Sequence, residues 1–273
     1  MVVLGKESLS AAMNAKIIGP SSGEAVVLSH GFGADQSIWD KILPCLALSH
    51  RVVLFDWSFS GAVKDKNIFD PVKYSSYDAF ADDLIVILEE LNVKTATFVG
   101  HSMSGMIGCI AAVKCPDLFK KLILVGASPR YINTEEEEFG FKRTDVDQLI
   151  SSIETNLQTW ASNFAPLVID HNDPLSIEKF EKLLNLMSPE AALSTAKVVF
   201  YSDNSHILEK IVTPCVIVQT VNDVVVPISS VNYMKKKIKN ASTVVEMIET
   251  DGHFPQLTAH DQLMEVLNRY ITS

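Results

Sequence analysis

The chain has 273 residues, 47% of them hydrophobic, and a formal net charge of -10 at pH 7. That size suits one α/β domain, or a core domain with an insertion. The acidic balance argues against a nucleic-acid partner, and no run approaches the roughly 18 apolar residues of a membrane span. The stretch Met1 to Lys6 is too short for a signal-peptide core, so a soluble intracellular protein is expected. Cys45, Cys109, Cys115 and Cys215 show no C-x-x-C spacing and read as buried thiols, neither a disulfide framework nor a zinc site. No metal and no cofactor is expected.

Residues 1–13 read as an irregular arm and 14–19 as an edge strand. Ala25 to Ser29 is a continuous apolar run, as in a parallel strand buried on both faces. It ends in His30-Gly31-Phe32-Gly33. Ile38 to Leu46 reads as a short helix, and Arg51 to Phe55 as the next buried strand, running into the loop Asp56 to Ala62. Lys73 to Leu91 begins as a turn and continues as an amphipathic helix, with Phe80, Leu84, Ile87, Leu88 and Leu91 at helical spacing.

Thr97-Phe98-Val99 then reads as a strand and Met106 to Val113 as a buried helix. Between them stands Gly100-His101-Ser102-Met103-Ser104-Gly105. A serine between small residues at a strand-to-helix joint is the nucleophile-elbow pattern. Crowding explains it. The serine needs a sharp, strained turn to project its hydroxyl, and small neighbours let other chain pass closely. Here the usual last glycine is Ser104. The competing reading makes Ser102 a simple helix cap.

Lys121 to Val125 is another buried strand. From 128 to 206 the strand signal vanishes. Asp145–Ile153, Asn156–Phe164, Ile177–Leu186 and Glu190–Phe200 read as helices, with Pro166, Pro174 and Pro189 as breakers. Four helices inserted between sheet strands predict a lid, dividing the chain into core 1–130, lid 131–206 and core 207–273. The lid aromatics Tyr131, Phe139, Phe141, Trp160, Phe164 and Phe200 either line a pocket or glue the helices together. The sheet resumes at Pro214 to Val218 and leads to Asp223. After a helix at 231–239, Val244 to Ile248 is the last strand, followed by Asp251-Gly252-His253. Leu263 to Ile271 closes the chain as a helix. The fold class is therefore α/β, a mostly parallel sheet flanked by helices.

Ser102, Asp223 and His253 come in the order serine, acid, histidine, each just after a predicted strand. That is the α/β-hydrolase order, and loops at strand carboxyl ends line sites in such sheets. A serine hydroxyl is a weak nucleophile at neutral pH, so an imidazole must take its proton. A carboxylate must hold that imidazole's tautomer. A tetrahedral oxyanion also needs two converging N–H donors. Met103, after the serine, would supply one. Phe32, in the glycine loop, would supply the other, unless that loop is an ordinary turn. His101 either lines the pocket or is a packed structural histidine.

Ser29 to Trp39, Gly100 to Gly108, Ala127-Ser128-Pro129-Arg130-Tyr131 and Asp251 to Leu257 together resemble the plant DWARF14 and karrikin-insensitive α/β-hydrolases. They also resemble the family's bacterial relative, the stress-regulatory hydrolase of the sigma-B pathway. The loop Phe55 to Ala62 resembles the second DWARF14-LIKE branch. The resemblance implies a four-helix lid over an apolar pocket lined by Phe32, Tyr131, Phe141, Trp160 and Phe164. It implies slow hydrolysis of a small apolar butenolide or ester ligand. It also implies signalling through a leucine-rich-repeat F-box protein and repressor targets, in cytoplasm and nucleus. The chain departs from the receptor branches at Trp57-Ser58-Phe59, and from the family's lid start at Phe139-Gly140-Phe141-Lys142.

Overall fold

A computed structural model describes residues 8–239 and 242–271, so the first seven residues of the expected arm lie outside the described ones. Within the rest of that arm, Leu9–Ala12 forms a short helix, α1, rather than irregular chain. Ser8 caps it by accepting from the Ala11 N–H.

Among the described residues the sheet has seven strands. They are β1 (Lys16–Ile18), β2 (Ala25–Ser29), β3 (Arg51–Leu54), β4 (Ala96–His101), β5 (Phe119–Val125), β6 (Cys215–Asn222) and β7 (Val244–Asp251). Their spatial order is β1-β3-β2-β4-β5-β6-β7. β1 pairs antiparallel with β3 at one edge, and the other neighbouring pairs run parallel. The carboxyl ends of β2 through β7 therefore open on one side. β4, in the middle, is buried along its whole length.

The expected helix at 38–46 is two pieces, a 3₁₀ turn at Gln36–Trp39 and α2 at Leu43–Leu46. Pro44 explains the break: it lacks the N–H that would bond four residues back, and is tolerated only in a first turn. α3 (Tyr77–Glu90) turns Phe80, Leu84, Ile87 and Leu88 inward and packs on α4 (Met103–Lys114), whose first ten residues are all buried. Behind the last strands lie α9 (Ile228–Lys237), α10 (Pro255–Thr258) and α11 (His260–Ile271). Of the cysteines, Cys109 and Cys215 are buried, but Cys115 is half-buried and Cys45 is exposed. Cys45 sits in the short α2, whose side chains other than Leu46 reach solvent.

Between β5 and β6 the chain leaves the sheet to build α5 (Arg143–Thr155), α6 (Leu157–Val168), α7 (Pro174–Leu186) and α8 (Pro189–Tyr201). Asn156, Asp173 and Ser188 cap the last three through their side chains. Pro174 and Pro189 do not merely separate helices. Each occupies a first helical position, where its missing N–H costs nothing. Pro166, expected as a breaker, lies inside α6. It stands in the last turn, so only one backbone bond is lost. The Ile169 N–H closes the end on the Ala165 carbonyl at 3.2 Å. This longer α6 aligns Trp160, Phe164 and Val168 at successive i+4 positions on one face.

Candidate functional site

Ser102 sits at the β4–α4 joint with φ +56° and ψ -125°. A non-glycine residue there is strained by about 1–3 kcal/mol. The strain persists because neighbours over-determine the turn. The Ser102 N–H donates to the Val125 carbonyl at 2.8 Å, and the Gly105 N–H donates to the Ser102 carbonyl at 2.9 Å. Close packing adds to this: a Cβ on Gly100 would lie 2.7 Å from the Ser104 backbone. Ser102 makes no side-chain cap on α4, so the simple-cap reading fails. Its hydroxyl lies 2.8 Å from His253 Nε2 instead.

His253 follows β7 by one glycine turn. Its Nδ1 lies 2.7 Å from Asp223 Oδ2. A carboxylate only accepts, so Nδ1 carries the proton and Nε2 offers its lone pair to the Ser102 O–H. β6 runs further than expected, to Asn222, and delivers Asp223 at its end. Asp223 is fully occupied. Oδ1 accepts from the Val225 N–H at 2.8 Å and the Val226 N–H at 3.1 Å, and Oδ2 also accepts from Gln219 Nε2 at 3.0 Å. The helical insertion reaches this corner too. The His253 N–H donates to the Val168 carbonyl at the end of α6, at 2.7 Å, and Ile169 bridges to Gly252.

His101 is fully buried beside these groups. Its ring centroid lies 4.9 Å from that of His253, and its Nε2 donates to the His253 carbonyl at 2.9 Å. Burial, with the neighbouring His253, holds its pKa well below the ordinary histidine value, so it is neutral. The amides of Phe32 and Met103 donate to no protein acceptor among the described residues. Met103 opens α4 and has no intrahelical acceptor.

A cavity above Ser102 is lined by Phe32, His101, Tyr131, Phe164, Val168, Phe180, Val199, Phe200, Val225, His253 and Phe254. Its volume is about 20 Å³, room for one or two waters. The Tyr131 hydroxyl is buried beside Ser102 and completes no hydrogen bond of good geometry. Burial pushes its pKa up to about 12, against a smaller downward pull from Ser102.

The sequence names Phe32, His101, Tyr131 and Phe164 as lining, and the structure brings them there. Phe141 and Trp160 are not on the lining. Phe141 stands edge-on behind Phe200, with centroids 5.9 Å apart. Trp160 stacks on Phe164 at 4.6 Å, lies 6.2 Å from the Phe32 ring, and borders a separate groove with Ser151, Asn156 and Thr159. An aromatic at helical spacing can face either side of a stack, and spacing alone does not say which. The sequence reading missed Val168, Phe180, Val199, Val225 and Phe254. Phe254 had a signal, its place beside His253, whereas the valines look like any core residue.

Among the described residues, no three His, Cys, Asp or Glu side chains group to hold a metal, and no helix is long and apolar enough to cross a membrane.

A family model described as alpha/beta hydrolase fold matches residues 24–259. The chain is 42% identical to the karrikin insensitive 2 receptor CA of Petunia hybrida, over 95% of this chain and 96% of that one. It is 37% identical to a strigolactone esterase of Arabidopsis thaliana, over 97% and 98% respectively. A solved structure of a hydrolase from Oleispira antarctica is similar with a TM-score of 0.92 and 30% identity, over 97% of this chain and 96% of that one.

Proposed function

The chain belongs to the karrikin-insensitive and DWARF14 group of the alpha/beta hydrolases, and from that premise we propose that it cleaves small apolar esters or lactones by acyl transfer through Ser102. The observation that carries the reading is the unbroken line Ser102 Oγ, His253 Nε2 at 2.8 Å, His253 Nδ1, Asp223 Oδ2 at 2.7 Å. The Ser102 oxygen attacks the carbonyl carbon while its proton passes to His253 Nε2. Asp223 stabilises the imidazolium that forms. The carbonyl oxygen takes the negative charge and meets the Phe32 and Met103 amides. As the tetrahedral adduct collapses, the C–O bond breaks and the leaving oxygen takes the proton from Nε2. In a lactone the leaving oxygen stays tethered to the acyl group. Water then repeats the sequence and frees Ser102.

The mostly apolar lining supports a small hydrophobic ligand, and the relatives' names point to the strigolactone or karrikin class, here taken to be a butenolide. A cavity of about 20 Å³ must open before such a ligand fits, which favours slow turnover over that of an ordinary small-ester carboxylesterase. The receptor names among the relatives favour a second duty, ligand-dependent signalling; the partner proposed for it, a leucine-rich-repeat F-box protein, rests on the motif resemblance alone.

Ser102→Ala tests the chemistry. Hydrolysis of p-nitrophenyl acetate should fall about 10³-fold or more, because the three groups act as a unit. Retained turnover in the variant would refute the nucleophile. A butenolide that raises the melting temperature of Ser102→Ala supports the ligand class, since selective binding stabilises by mass action. Ligand-dependent capture of the F-box partner tests signalling.

A further inference from the structure

The loop that offers the Phe32 amide contains Gly31, where any side chain would crowd the site. A Cβ there would stand 2.9 Å from Ser102 Cβ and 3.0 Å from His101 Nδ1. Glycine is also the residue with the most backbone freedom. The Phe32 N–H belongs to the Gly31–Phe32 peptide, so its aim is only as firm as whatever restrains Gly31. The restraint comes from outside the loop.

The carbonyl of His30, in the peptide before Gly31, accepts two bonds. One is from the indole Nε1–H of Trp57 at 3.0 Å, and the other is from the Ser104 hydroxyl. Ser104 Oγ in turn accepts from the same indole N–H at 2.9 Å and from Ser29 Oγ at 3.1 Å. That fills every valence of the Ser104 hydroxyl, one donor and two lone pairs. The peptide after Gly31 is held by the His30 ring. The Trp57 backbone N–H donates to His30 Nε2 at 3.0 Å. The proton must then lie on Nδ1, which donates to the Gly31 carbonyl at 2.9 Å. Both peptides flanking Gly31 are thus pinned, and a peptide whose C=O is fixed has its N–H fixed in the opposite direction. Burial keeps the His30 pKa below the ordinary value, which favours the neutral ring that this bonding needs. Trp57, His30, Ser29 and Ser104 are all buried.

We propose that Trp57 is a positioning residue, which through Ser104 and His30 fixes the aim of the Phe32 amide at the oxyanion. The inference rests on the acyl-transfer reading. It also accounts for two departures in the sequence together, the serine at the end of the elbow and the tryptophan in the loop after β3. An aromatic ring at 57 that only packed, edge-on to Phe55 and Phe80, would need no N–H.

Trp57→Phe keeps the packing and removes the indole donor. Ser104→Ala removes the hydroxyl and leaves the ring. Each is compared with wild type for p-nitrophenyl acetate kcat and KM, for melting temperature, and for inhibition by phenylboronic acid. That probe's boron takes the Ser102 oxygen and becomes a tetrahedral anion, while the proton passes to His253. Losing an oxyanion donor outright costs 10²- to 10³-fold, so a mis-aimed one should lower kcat about tenfold. The boronate inhibition constant should rise by the same factor, with KM within about twofold. Because each group also donates to the His30 carbonyl on its own, the double variant, which leaves that carbonyl with neither donor, should be worse than either single. Unchanged kcat and boronate affinity in both singles would overturn the inference. So would losses that follow melting temperature rather than each other. Hydrolysis surviving in Ser102→Ala is a separate result, and would remove the acyl-transfer reading itself.

Discussion

Replacing Asp223 by asparagine changes one oxygen to an amide nitrogen and should disable the base without disturbing the fold. Asp223 accepts four bonds: two backbone N–H groups on Oδ1, and the Gln219 amide and His253 Nδ1–H on Oδ2. An asparagine has one accepting end. If its oxygen faced His253, its NH₂ would face the amides of Val225 and Val226, stranding two buried donors at about 1–3 kcal/mol each. The oxygen therefore stays with the backbone and the NH₂ meets the imidazole. Two donors cannot share that 2.7 Å contact, so His253 moves its proton to Nε2. Turning the Gln219 amide would bring its Oε1 to the new NH₂ but break its bond to the Val226 carbonyl at 3.0 Å, so the substitution costs one hydrogen bond there. With Nε2 protonated, the ring donates to Ser102 and can take nothing from it. A wrong tautomer of this kind lowers kcat by about 10⁴, or about 5.5 kcal/mol of transition-state stabilisation. The assay is p-nitrophenyl acetate hydrolysis with a melting curve. A folded Asp223→Asn protein within tenfold of wild-type kcat would refute the tautomer argument.

Three other measurements probe the surroundings. Ser102→Gly should melt higher than Ser102→Ala, by about 1 kcal/mol, because glycine relieves the strain at φ +56° while alanine keeps it; equal melting points would mean the turn is not strained. His30 and His101 both have pKa values lowered by burial. Above about pH 6.5 both are neutral folded or unfolded. Below it the unfolded chain takes up protons that the fold resists, so each should cost up to about 1.4 kcal/mol of stability per pH unit. Denaturant titrations from pH 7 to 5 should show this slope, reduced by half in His101→Asn; a flat profile refutes it. Phe164→Ala should open the cavity and raise kcat/KM for p-nitrophenyl butyrate relative to acetate. Its stability loss should stay below the roughly 3–5 kcal/mol of a fully buried phenylalanine, and an unchanged substrate ratio would move Phe164 off the path of the acyl group.

What the sequence made legible follows from which forces are local. The parallel strands announce themselves as unbroken apolar runs, because burial on both faces removes alternation. Ser102, Asp223 and His253 are legible because each must follow a strand directly. Pro166 misleads because a proline's cost depends on where the helix ends, and tertiary contacts set that. Phe141 and Trp160 mislead for a related reason. In a stack such as Trp160 on Phe164 only one ring borders the cavity, and the packing of α6 on its neighbours decides which. The bonds among Ser29, His30, Trp57 and Ser104 join four points on three separate segments, and no spacing rule connects them.

The bond from the His253 N–H to the Val168 carbonyl makes the roof of the cavity and the floor one mechanical part. Any displacement of α6 that keeps this bond is a rotation about its carboxyl end. At 1.5 Å of rise per residue, Phe164 stands about 6 Å from that pivot and Trp160 about 12 Å. A tilt of about 10° then carries the first by about 1 Å and the second by about 2 Å. Under such a tilt the aromatic stack would move by amounts graded along the helix while the imidazole stayed at its hub. A cover hinged on the base can widen to suit a guest without moving the group that must act on it.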